Sequence, residues 1–173
     1  MFESRPAKVT YETLEKFLSF ATNKGFPEAE AMHQAEGFTE TDFSESYTRY
    51  SKALIAVGDG AGADFRTGLE TEIVALANPY VDPLGGVMPV QVFYGDDVRA
   101  DAQVELFEKA PDGTVEITLL RTDADGIVQL PVQPGHAYMA DAVVLRLPDP
   151  ELAEQQGVIW ESLWAELNFA VPE

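Results

Sequence analysis

Imidazole is the scarcest reactive group in this chain, carried only by His33 and His136. The two lie far apart in sequence, so a two-histidine metal site requires the fold to bring them together. His136 follows Pro134-Gly135, and a histidine beside a turn reads first as a surface residue. As a ligand it would hold a divalent metal ion with carboxylate help from Asp141 or Glu161, since imidazole and carboxylate are both suited to such ions. Asp123-Ala124-Asp125-Gly126 has the alternate carboxylates and glycine that open a calcium loop. Neither the third alternating ligand nor the distal bidentate Glu follows, so a hairpin turn is the reading. The Gly-rich stretch from Asp59 to Asp64 precedes no clear helix and offers no phosphate cradle. No Ser–His–acid order with a supporting signature, nucleophile elbow or distinct paired-carboxylate motif occurs, so no catalytic residue is assigned and the chain is expected not to be an enzyme.

The segment from Trp160 to Phe169 is rich in aromatic and aliphatic residues. As a strand it puts Leu163, Ala165, Leu167 and Phe169 on one face and Trp160, Ser162 and Trp164 on the other. Both faces then need cover. Either the two tryptophans pack under helices, or Trp160 and Trp164 form an aromatic ledge that binds a partner protein or a sugar. Glu45, Arg49 and Lys52 bracket an earlier strand with mixed charge, for which a structural ion pair is expected.

These residues are positioned by elements of two kinds. Tyr11, Leu14, Phe17, Leu18 and Ala21 recur at helical spacing, which predicts a helix from Thr10, as N-cap, to Lys24, with Gly25 to end it. Pro27 and the acidic residues after it predict a second short helix that stops near Gly37. An acidic link from Phe38 to Glu45 leads to a buried strand over Tyr47 to Val57, then a second over Glu70 to Leu76. From Met88 onward, short alternating segments are separated by Gly95-Asp96, Pro111-Asp112-Gly113, Asp125-Gly126 and Pro134-Gly135. No interval is long enough for a crossover helix, so antiparallel strands joined by hairpins follow. Val90, Val92 and Tyr94 share a face, as do Val104 with Leu106, and Val115 with Ile117 and Leu119. The residues around Pro148-Asp149-Pro150 up to Gly157 read as a flexible polar loop. The expected fold is mainly β: an antiparallel β-sandwich over 46–173, with a small helical appendage and linker over 1–45.

Composition limits the partners. Eleven Lys and Arg against 30 Asp and Glu give a net charge of −19, which repels nucleic acid and anionic membranes. The absence of cysteine removes disulfides, thiolate nucleophiles and Cys-ligated metals. No apolar run reaches the roughly 18 residues that cross a bilayer, so direct membrane insertion is not expected, and Met1–Thr10 has no signal-peptide pattern.

Several segments together carry a resemblance: Ser46-Tyr47-Thr48-Arg49-Tyr50-Ser51-Lys52-Ala53-Leu54, Glu72-Ile73-Val74 with Asn78-Pro79-Tyr80, Pro89-Val90-Gln91-Val92, Thr122-Asp123-Ala124-Asp125-Gly126, Pro134-Gly135-His136-Ala137-Tyr138 and Trp160-Glu161-Ser162-Leu163-Trp164-Ala165. From about Thr10 to Pro172 the chain resembles a family of bacterial domains of unknown function that are labelled as periplasmic components of nickel or cobalt uptake, the nickel-transport M-subunit-like family. The resemblance implies an exported, periplasmic β-sandwich, transthyretin-like or Ig-like and similar to carboxypeptidase-regulatory modules, here without the family's signal sequence and histidine-bearing N-terminal part. It implies nickel or cobalt as cofactor and a membrane transporter component or other protein as partner. An adhesion or carbohydrate-recognition module and a transthyretin-like hydrolase are the alternatives. The hydrolase needs both histidines and an arginine gathered in one cleft.

Overall fold

A computed structural model describes all residues, Met1–Glu173. The elements run β1 (Phe2–Glu3), β2 (Ala7–Tyr11), α1 (Leu14–Asn23), α2 (Ala29–Ala35), β3 (Phe43–Ala53), β4 (Thr71–Ala75) and β5 (Val87–Tyr94). They continue with β6 (Asp97–Val98), β7 (Gln103–Lys109), β8 (Val115–Arg121), β9 (Ile127–Pro131), β10 (Ala137–Arg146), α3 (Pro150–Gln156) and β11 (Trp160–Ala170). One sheet has the order β1-β3-β11-β10-β7-β8, with β2 also paired to β3, and the other is built around β5, which pairs with β4, β6 and β9. The fold is mainly β and its sheets pack as a sandwich, as expected.

The chain divides into two compact units, each assembled from separate segments. The first comprises Met1–Glu3, Tyr50–Ala142 and Trp164–Glu173, and the second Ser4–Arg49 and Val143–Leu163.

The first unit is the sandwich. Period-two alternation turns Met88, Val90 and Val92 of β5, Val128 and Leu130 of β9 and Ile73 of β4 inward from one sheet. Val104 and Leu106 of β7, Ala140 and Ala142 of β10, and Ala165, Leu167 and Phe169 of β11 meet them from the other. The alanines bring the layers close, and the larger side chains opposite fill the space between.

Three expectations change here. Val115, Ile117 and Leu119 do share a face of β8, but that face is open to solvent, at 54, 58 and 60% exposure. β8 is the last strand of its sheet, and Leu120 is its half-buried contact with the core. The turn at Asp125-Gly126 is not a hairpin, because it carries the chain from β8 in one sheet to β9 in the other. Asp123 Oδ1 accepts the amides of Asp125 and Ile127, both at 2.9 Å, an Asx turn that ends a strand whichever sheet follows. Gly126 is required twice over: its φ is +71°, and a Cβ there would lie 2.9 Å from Cβ of Val98. Finally, β3 stops at Ala53 instead of continuing to Val57. Leu54 N makes a last bond to Asn168 O, after which Ile55 and Val57 are 78 and 81% exposed as the chain enters its Gly-rich loop.

The second unit is helical and aromatic. Thr13, not Thr10, caps α1, its hydroxyl accepting from Lys16 N. Thr10 instead belongs to β2, whose alternating Ala7, Val9 and Tyr11 pair along β3 from Tyr47 to Phe43. Phe17 and Ala21 of α1, Ala29 of α2, Phe43 and Trp160 form the core, with the rings of Phe17 and Trp160 5.0 Å apart. α3 occupies the segment read as a polar loop. Asp149 stands at its N-cap, Pro150 begins it, and Gly157 ends it in the left-handed region at φ +63°. It buries none of its residues, which is why no apolar period announced it.

Glu45 of β3 is 1% exposed. It accepts a hydrogen bond from Tyr11 Oη at 2.8 Å and another from Ser162 Oγ. Burial raises its pKa above the usual carboxylate range, and the bonds from Ser162 and Tyr11 offset only part of that. A carboxyl with a raised folded-state pKa stabilises the fold most while protonated, and that contribution fades as pH rises from the unfolded value through the folded one. Glu45→Gln is therefore expected to raise Tm at pH 8 by a few degrees, at about 2–4 °C per kcal/mol for a chain of this size, and to change it less at pH 5. Thermal melts at both pH values check this, and an equal shift at the two would refute the assignment.

Candidate functional site

His136 immediately precedes β10, directly after the left-handed Gly135 at φ +81°. Its backbone is tied to the C-terminal segment: Gly135 N donates to Val171 O, and Val171 N to His136 O. Antiparallel register then sets its neighbours. Tyr138 of β10 is opposite Glu108 of β7, and Glu108 is opposite Glu116 of β8. Side chains in register share a face, so one row carries Tyr138, Glu108 and Glu116, with His136 two residues from Tyr138 on the same side.

Glu108 is the hub. Its Oε1 lies 2.6 Å from His136 Nδ1 and accepts from Tyr138 Oη at 2.9 Å and Gln133 Nε2 at 3.2 Å. No other protein group bonds His136 Nδ1. Tyr138 Oη in turn accepts from Gln133 N at 2.7 Å. Burial, partly opposed by the Gln133 N–H and reinforced by the Glu108 charge, pushes the Tyr138 phenol up to about 12. Glu108, Ala110, Thr114, Glu116, Gln133 and His136 line a small cleft of about 150 Å³.

The carboxylates expected beside His136 are elsewhere. His136 and Asp141 are five residues apart along one extended segment, about 16 Å and on opposite faces, too far to share an ion. Glu161 Oε2 is engaged by Arg146 Nε at 2.6 Å. No cluster of three or more His, Asp or Glu side chains is gathered as a metal site. Glu108, the acid that does meet His136, is 28 positions away by residue number, and a period-two pattern reveals faces but not which strands become neighbours. The Asp112-Gly113 turn of the β7–β8 hairpin was the one local signal from which Glu108 and Glu116 could have been paired.

His33 has a different task. Its Nδ1 lies 3.1 Å from Trp160 Nε1, which can only donate, so Nε2 must carry the proton that bonds Thr39 O at 3.0 Å. Both ring nitrogens are used inside the second unit. Trp160 has no exposed surface and presents nothing to a partner, while Trp164 is half-buried.

A second charged cluster lies in the first unit. Lys52 Nζ bonds Asp64 and Glu72, each at 2.9 Å, with all three side chains nearly or fully buried. Burial would raise the Glu72 pKa, but the Thr67 amide, Lys52 and the Thr67 hydroxyl outweigh it and hold the group below the usual carboxylate range. Asp64 also accepts from Ala75 N and Phe65 N. Every carboxylate here is saturated by protein donors, which leaves no room for a ligand. The cluster pins the loop after β3, and Lys52 finds its partners in loop and β4 instead of Glu45.

Among known families, residues 3–146 match the one described as a domain of unknown function (DUF4198). The chain belongs to that family. The match covers most of the DUF4198 chain, from β1 through β10, and brings no activity, ligand or partner with it. No curated protein and no solved structure shows a significant match. The chemistry of this DUF4198 chain therefore rests on the cleft itself.

If the Lys52 cluster is structural, Lys52→Met should leave two buried carboxylates without their cation and cost roughly 3–5 kcal/mol. Urea unfolding monitored by circular dichroism measures it, and a loss below about 1 kcal/mol would show that the cluster is hydrated and replaceable.

Proposed function

We propose that this protein is a non-enzymatic, extracytoplasmic β-sandwich that binds a divalent transition cation, nickel or cobalt, and assists its uptake by a membrane transporter. The observation that supports this reading is the His136–Glu108 contact in an open cleft that Glu116 also lines. A carboxylate at Nδ1 orients an imidazole so that Nε2 is presented as a ligand, the arrangement usual behind metal-bound histidines. One imidazole and nearby carboxylates suit nickel and cobalt. The ion would be held by His136, with Glu116 beside it and Glu108 steadying the ring, and would keep much of its water. A chain with a net charge of −19 also concentrates cations near its surface. Weak, exchangeable binding of that kind fits delivery better than storage. Export to the periplasm and the transporter partner come from the family resemblance and are part of the same proposal.

Isothermal titration of tag-free protein with Ni²⁺ or Co²⁺ tests the site. Saturable heat is expected, abolished in His136→Ala and weakened about tenfold in Glu108→Gln, the size typical of losing a ligand's supporting carboxylate. No heat above buffer at millimolar metal, or an unchanged isotherm in His136→Ala, would overturn the proposal.

A further inference from the structure

We infer that β8 is a docking edge at which an extended segment of another protein, alternating aliphatic with basic residues, adds as the next strand. This goes beyond the cation site and does not depend on it.

β8 ends its sheet, so the N–H and C=O groups on its outer side lack a ladder partner. Such an edge is a template for another strand unless something blunts it, and the usual devices are Pro, charged side chains (Lys above all), a bulge or short length. Val115-Glu116-Ile117-Thr118-Leu119-Leu120-Arg121 has no Pro, Lys or bulge, and its two charges, Glu116 and Arg121, stand toward its ends and leave Ile117 to Leu120 uncharged. Its register with β7 is unbroken over all seven residues, from Val115 opposite Lys109 to Arg121 opposite Gln103. Three aliphatic side chains, Val115, Ile117 and Leu119, stand on one face at more than half exposure. An exposed apolar row beside an open edge is the combination that strand-adding partners use: main-chain bonds give affinity, and alternate side chains give fit.

Charge selects the occupant. Arg121 is held by Asp101 at 2.6 Å, which leaves Glu116 on the strand and Asp112, Asp123 and Asp125 in the turns at its two ends. Lys109, opposite Val115, is the one cation that remains among them. A second copy of a chain with a net charge of −19 would set acid against acid along this edge. A basic strand meets the acids and lays its apolar residues on Val115, Ile117 and Leu119.

The probe is a dye-labelled nine-residue peptide of alternating valine and lysine, titrated into the full chain by fluorescence anisotropy. A peptide of equal charge with a central proline is the control. Saturable binding is expected for the first only, with slowed hydrogen exchange at residues 115–121 and affinity about tenfold lower for Ile117→Lys. Ile117 is exposed, so that variant should fold normally, and its thermal melt verifies this. The inference is overturned by absence of binding, by equal binding of the proline control, which would reduce it to attraction by an acidic surface, or by an unchanged affinity in Ile117→Lys. Sedimentation showing a wild-type dimer that Ile117→Lys abolishes would assign the edge to a second copy and likewise overturn it.

Discussion

The arrangement depends on a constraint that bears on two strands: β10 and β11 each supply apolar residues to two separate cores, and a strand shows any one face only at every second residue. β11 meets it by changing parity. Trp160 belongs to the aromatic core of the second unit, whereas Ala165, Leu167 and Phe169, at odd positions, belong to the sandwich core. β10 does the same in reverse, with Tyr138, Ala140 and Ala142 in the sandwich and Leu145 packed against the aromatic cluster. Positions 160 to 163 of β11 are all buried, so both of its faces are covered where the change occurs. A polar substitution there has no solvent side to turn to.

Burial on both faces forces polar side chains inside as well, and each unit satisfies them locally. In the sandwich, Lys52 is closed off by Asp64 and Glu72. In the helical unit, His33 bridges Trp160 and Thr39, and Glu45 accepts hydrogen bonds from Tyr11 and Ser162. The two solutions differ in physical character. A buried ion pair with extra hydrogen bonds specifies a unique geometry and is costly to break. Glu45 has hydroxyl partners but no cation, so its charge is the less well compensated of the two, and its pKa is raised where that of Glu72 is lowered.

Much of this was legible in the residues. Alternation around Val90, Val92, Val104 and Leu106 announced inward faces, and Gly-containing turns announced antiparallel strands. α1 was visible from its apolar period, although its start was placed three residues early because Thr10 and Thr13 are both competent caps. What failed had physical causes. Val115, Ile117 and Leu119 alternate as well as any core strand, but alternation reports that one face is apolar and not that anything covers it. Ile55 and Val57 looked buried because an apolar run carries no sign of where a ladder stops. α3 packs nothing, so its Asp149, Pro150 and Gly157 signals stood without a period to support them. The site fared worse. His136 was singled out as a reactive group, but the acid beside it, Glu108, is fixed by β7–β10 register, a long-range fact that no local pattern encodes.

The cleft and the open edge meet at Glu116, which lines the first and belongs to the second. Along a strand, side chains alternate while backbone bonds lie in the plane of the sheet. A strand added outside β8 would therefore leave the face bearing Glu108 and His136 in place and extend the row by one more position next to Glu116. A lysine there would compete with a cation for Glu116, and an acid would supply it with a further ligand. Were both proposed sites occupied, they would be coupled through one carboxylate without any change in fold, and the residue the partner brings would set the sign of the coupling.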